Sequence, residues 1–182
     1  MDKAEFDQLF EYVVVQPLQD LRFKRLGQSL ARFDQTNTII LMRLGGKMTL
    51  PGTLAHILCF RHSFLRDFDG NVPAKPPNNP HEYPFKFRPS LLQDRRSSDW
   101  RYEPRNLNYD YDRFEWENRS AADVTRWLRA LSEFIATRFV PWTDGMVPRT
   151  AQAQIVRYGE KAWCDRRWDE DYERFLKASS PA

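Results

Sequence analysis

The chain opens on an amphipathic pattern. Phe6, Leu9, Phe10 and Val13 fall at i, i+3, i+4 and i+7, with Asp7, Gln8 and Glu11 between them. This spacing predicts a helix over residues 2–15, capped by Asp2 and stopped by Pro17. From Arg22 to Phe33 the alternation is irregular, and Gly27 marks a bend. Asn37–Leu44 is rich in β-branched and aliphatic residues and reads as a strand that Gly45-Gly46 turns. Thr53–Phe64 is a third strand. Its centre, Ile57-Leu58-Cys59-Phe60, is apolar on both faces, which places it mid-sheet with a layer on either side.

Residues 69–84 hold Gly70, Pro73, Pro76, Pro77, Pro80 and Pro84, a long irregular loop of the kind that carries function. Phe85–Leu92 adds a strand that Pro84 and Pro89 confine to an edge. Tyr109–Glu117 sets Phe114 and Trp116 on one face and Arg113, Glu115 and Glu117 on the other, a half-buried antiparallel strand. Ser120-Ala121-Ala122-Asp123 approximates a capping box. Behind it, Val124, Trp127, Leu128, Leu131, Phe134 or Ile135, and Phe139 form the stripe of a long helix that Pro141 ends. Two shorter helices follow, at 149–163 and 167–178, the second with Trp168, Tyr172, Phe175 and Leu176 on one face. The order predicts an α+β fold: an antiparallel sheet of about 4–6 strands, an N-terminal helix, one long helix after the sheet, and additional C-terminal helices. One domain is expected over 1–182, with 1–145 as its core and 146–182 as a helical extension.

Several short stretches carry a family likeness. Leu21-Arg22-Phe23-Lys24-Arg25-Leu26-Gly27 precedes Leu30-Ala31-Arg32-Phe33 and two apolar strands. Trp100-Arg101-Tyr102 and Phe114-Glu115-Trp116 follow, and the long helix closes at Phe139-Val140-Pro141-Trp142. Over residues 5–145 this layout resembles the bacterial domain-of-unknown-function family numbered 4304. Leu21-Arg22-Phe23 departs from that pattern, where Gly-Phe is expected, and the 69–84 loop is long for it. The resemblance implies a small bacterial binding or immunity-type protein and no particular reaction, so it assigns no catalytic residue.

Composition narrows the classes. Thirteen Phe, seven Tyr and six Trp in 182 residues are enough to fill a core, each ring burying about 150–250 Å². A net charge of +3 is too small to imply nucleic acid, and acidic residues are interleaved among the arginines almost everywhere. Of 28 basic residues seven are Lys and 21 are Arg, the cation that suits interfaces. Cys59 and Cys164 match no metal or redox spacing and read as reduced thiols, so a cytoplasmic location is expected. The opening residues have no signal-peptide core, the longest apolar runs span four to five residues, and no membrane partner is predicted.

The search for chemistry returns little. His56 and His62 share a strand face but stand six residues apart, about 20 Å, too far to share one ion. Cys59 lies in the most apolar strand, and Cys164, beside Arg166 and Arg167, reads as an incidental surface thiol. Gly45-Gly46-Lys47 lacks the spacing of a phosphate loop. Asp99, Glu103, Asp110, Asp112, Glu115 and Glu117 form the densest polar group, with arginines interleaved that can satisfy them. Trp100-Arg101-Tyr102 has the residue types of a binding hot spot. No metal or cofactor is predicted. The favoured reading is a protein-binding module, for example an inhibitor or immunity-type protein, with Trp100, Arg101, Tyr102, Asp110 and Asp112 as candidate partner contacts. The alternatives are a small enzyme using Asp110 and Asp112, with or without a divalent metal, and a nucleic-acid-binding domain.

Overall fold

A computed structural model of the chain describes residues 1–44, 50–87, 113–158 and 163–179. Its architecture is α+β. Six antiparallel strands, β1 (Lys24–Leu26), β2 (Ser29–Phe33), β3 (Asn37–Arg43), β4 (Thr53–His62), β5 (Phe85–Phe87) and β6 (Arg113–Glu115), form one sheet in the order β1-β2-β3-β4-β5. β6 shares the outer side of β4 with β5: Leu54 pairs with Phe114 near one end, and Phe60 with Phe85 near the other. All ten residues of β4 are buried, as its two-faced apolar centre requires. The irregular stretch after Arg22 is the β1–β2 hairpin, turned by Gly27 at φ 60°, where only glycine is free of strain.

Alternation along the strands sorts side chains into two layers. Leu30, Ile39, Leu41, Leu54, Leu58, Phe60, Phe85 and Phe114 face the helices, and Ala31, Ile40, Met42, Ile57, Cys59 and Tyr83 form a smaller cluster behind. On the helical side lie α1 (Lys3–Phe10), a π-helical turn (Glu11–Val15) and α2 (Gln16–Asp20), continuous with one another. Asp2 and Glu5 form a reciprocal capping box at their start, each side chain accepting the other's backbone N–H at 2.9 Å. The long helix repeats the plan: α3 (Ala121–Phe134), a π-helical turn (Ile135–Phe139) and α4 (Val140–Asp144).

Both proline stops predicted from sequence are therefore corrected. Pro17 and Pro141 each sit at the start of a closing α segment, immediately beyond a π-helical turn. There the N–H of Gln16 reaches Glu11 O, and that of Val140 reaches Ile135 O, both five residues back. The wider turn relieves the clash a proline ring makes with the carbonyl four residues earlier. Each helix so continues to Asp20 and Asp144.

Three further helices, α5 (Pro148–Tyr158), α6 (Trp163–Arg166) and α7 (Trp168–Ser179), complete the described chain. Ala151, Ile155 and Trp168 join the main core. Asp171, 1% exposed, ties α7 to the end of β4 by accepting from the backbone N–H and from Nε of Arg66. No helix among the described residues is long and apolar enough to cross a membrane.

Candidate functional site

Five residues singled out from sequence, Trp100, Arg101, Tyr102, Asp110 and Asp112, lie outside the described residues, as do Asp99, Glu103 and Gly45-Gly46-Lys47. Of the carboxylate group, Glu115 and Glu117 are described, and both are exposed. The chemistry that can be placed falls in three regions.

The first is buried. On the rear of β4, Arg61 is 1% exposed, and its guanidinium donates to the carbonyls of Glu82 (3.0 Å), Leu65 and Arg66 while lying 5.8 Å from the Tyr83 ring centre. A planar fork can satisfy several carbonyls at once, so Arg61 fastens the 69–84 loop to the sheet. Cys59 and Cys164 are both buried here; Cys164 Sγ donates to His81 O at 3.5 Å. Its reading as a surface thiol is thereby corrected: α6 carries it against the turn at Pro80–Glu82, and burial pushes its thiol up to about 12. Burial likewise raises Cys59. Neither is a thiolate near neutral pH.

On the front of β4, His56 and His62 are buried and neutral. Desolvation holds His56 down at about 3, helped by the charge of Arg43, and His62 at about 4, against a bond from Nε2 to Met146 O. The His56 ring stacks on Phe10 at 5.5 Å, and neither nitrogen has a hydrogen-bond partner among the described residues. These are core imidazoles. Among the described residues no group of three or more His, Cys, Asp or Glu side chains is placed to hold a metal ion.

The second region is an apolar cavity of about 400 Å³ between α7 and the segment that follows β4. Phe64, Val72, Phe175 and Ala178 line it, with Ser63, Gln35 and Arg174 at its polar edge and Asp171 beneath. Phe175 stacks on Phe64 at 5.3 Å yet stays 41% exposed; Val72 is 54% and the neighbouring Leu176 47% exposed. Asp171 is committed to Arg66, and its approach to the half-exposed Arg174 is longer, at 3.9 Å. Sequence periodicity put Phe175 and Leu176 on the packing face of α7 with Trp168 and Tyr172. Only Trp168 is fully buried there, and the apolar arc continues into the open.

The third region is a polar cleft of about 780 Å³ where α2 and α4 both end over the hairpin. Arg22, Lys24 and Arg32 line it together with Asp20, Asp34 and Asp144. Arg32 is ion-paired with Asp144. Burial would raise the Asp34 carboxyl, but the hydroxyl and N–H of Thr36 and the N–H of Asn37 outweigh it and hold Asp34 below its usual range. Three cations and three carboxylates share this cleft, so it is not a basic face.

Compared with family models, curated proteins and solved structures, the chain matches none.

Proposed function

We propose that the chain is a protein-binding module, of the inhibitor or immunity type, whose partner docks on α7 and the segment after β4. The observation that carries this reading is the apolar cavity of about 400 Å³ with Val72, Phe175 and Leu176 exposed around it. Leaving three large apolar side chains in water beside a cavity forgoes burial worth about 25 cal/mol per Å², a cost that a docking partner recovers. Phe64, itself packed on Tyr172, holds the Phe175 ring in place, so little side-chain entropy is lost on binding. Arg174 at the rim suits a partner that offers an apolar anchor next to a carboxylate. Membership of the bacterial family resembled in sequence, and a cytoplasmic location, belong to the same proposal.

The test is affinity capture of tagged chain from lysate of its own cells, wild type and Phe175→Asp side by side, with partners identified by mass spectrometry. One stoichiometric partner is expected on the wild type and at least a tenfold loss on the variant, whose melting temperature stays within a few degrees. Equal retention by both proteins, or no stoichiometric partner on the wild type, removes the reading.

A further inference from the structure

We propose a second, independent binding site in the cleft between the ends of α2 and α4: Arg22 and Lys24 receive an oxyanion, carboxylate or phosphate, whose apolar body lies against Leu21, Phe33 and Val140. The cleft, at about 780 Å³, is of a size that encloses small ligands.

The argument starts from the backbone. Among the described residues Arg22 alone has positive φ without being glycine, at 67°. It stands directly after the C-cap Leu21 of α2, where the N–H of Arg22 bonds Gln19 O (2.8 Å) and that of Phe23 bonds Leu18 O (3.0 Å). These two bonds define a Schellman ending, whose left-handed residue is ordinarily glycine because a Cβ is strained there. Phe23 and Leu18, both buried, supply the apolar contact that such endings make, so the backbone geometry of the ending does not itself call for an arginine. Strain of this kind persists where the side chain has work to do. The Arg22 side chain is exposed, lines the cleft, and has no ion-pair or hydrogen-bond partner among the described residues; the same holds for Lys24.

Of the other charges in the cleft, Arg32 and Asp144 pair with each other. Asp34 accepts three bonds from its own turn, all at Oδ1, and keeps its charge. Among the described residues of the lining, Arg22 and Lys24 are the two cations not held in an ion pair, with Asp20 and Asp34 as the remaining carboxylates. A cation beyond a helix C-terminus also complements the helix dipole, which gives Arg22 a purely structural use. The two roles differ in sign: an arginine kept for the dipole stabilises the ligand-free fold, whereas one kept for a ligand is a burden on it.

Two probes share the oxyanion and the apolar body but differ in its source, phenylacetate and phenyl phosphate. Each is titrated by calorimetry into the full chain, wild type, Arg22→Gly and Lys24→Gln, with melting temperatures recorded without ligand. Saturable one-to-one binding of at least one probe to the wild type is expected, and which probe binds tells carboxylate from phosphate. Arg22→Gly should weaken it tenfold or more while raising the ligand-free melting temperature by about 2–4 °C, as relief of a strained residue does in a domain of this size. Lys24→Gln should weaken binding several-fold with the melting temperature unmoved. Absence of saturable binding to the wild type, undiminished affinity in Arg22→Gly, or a lower melting temperature in that variant would each overturn the proposal.

Discussion

On the helical face of β4, His56 and His62 spend the folded state neutral, and the cost of that appears when the solution is acidified. In the unfolded chain each imidazole titrates near 6.5, while in the fold His56 waits until about 3 and His62 until about 4. Because the folded values are depressed, the unfolded chain binds more protons between those limits. Stability is therefore full above 6.5 and falls steadily as pH drops toward 4 and then 3. At pH 5, one and a half units below the free imidazole, each histidine costs about 2 kcal/mol relative to pH 7.5. His56→Leu, which is close in volume and carries no proton, should remove about half of that loss. Urea denaturation at the two pH values measures it, and an unchanged difference in the variant would contradict the assignment. That the two histidines share a face was readable from their even spacing. Their burial was not, because it depends on Phe10, which stacks on His56, and on Met146, whose carbonyl bonds His62, both distant in sequence. The burial of Cys164 is hidden from the sequence for the same reason: its sequence neighbours are charged, but what it meets in space is the turn at Pro80–Glu82.

The two long helices share one device. A π-helical turn precedes Pro17 in one and Pro141 in the other, so neither ring meets the hydrogen-bond ladder it would break in a regular helix. Pro17→Ala should accordingly change stability by less than about 1 kcal/mol, whereas Arg129→Pro, exposed in the regular part of α3, should cost about 3 kcal/mol or more. Denaturant midpoints of the two variants decide it; a large gain on removing Pro17 would mean that the proline is strained after all. Strands β3 and β4, the Asp2 and Ser120 caps and the amphipathic start of each helix were legible, since each rests on local periodicity or a local hydrogen bond. The helix ends were not. The stop rule for proline assumes a uniform 3.6-residue ladder, and the hint of another was subtle: Val13 and Leu18, both buried, stand five apart, and the long stripe accepted either Phe134 or Ile135.

At the scale of the whole molecule, the sheet carries helices on one face and the fastened 69–84 loop with α6 on the other, and α7 brings Phe175 beside Phe64 and Val72. The α+β order was readable because helices and strands differ in period. The cavity was not, because its walls come from three separate stretches of chain and no pattern in any one of them marks it. The residues that sequence favours as contacts, Trp100 to Tyr102 with Asp110 and Asp112, lie outside the described residues, and the proposed docking surface is on α7 instead. The most direct measurement is site-specific photo-crosslinking in cells, with the reactive group placed at Val72 beside the cavity or at Tyr12, which is 67% exposed on the first helix. A single discrete adduct from position 72, absent from position 12 and lost when Phe175→Asp is combined with it, is the result expected of a partner seated on α7. Adducts of equal yield from both positions, or none from position 72, would contradict it.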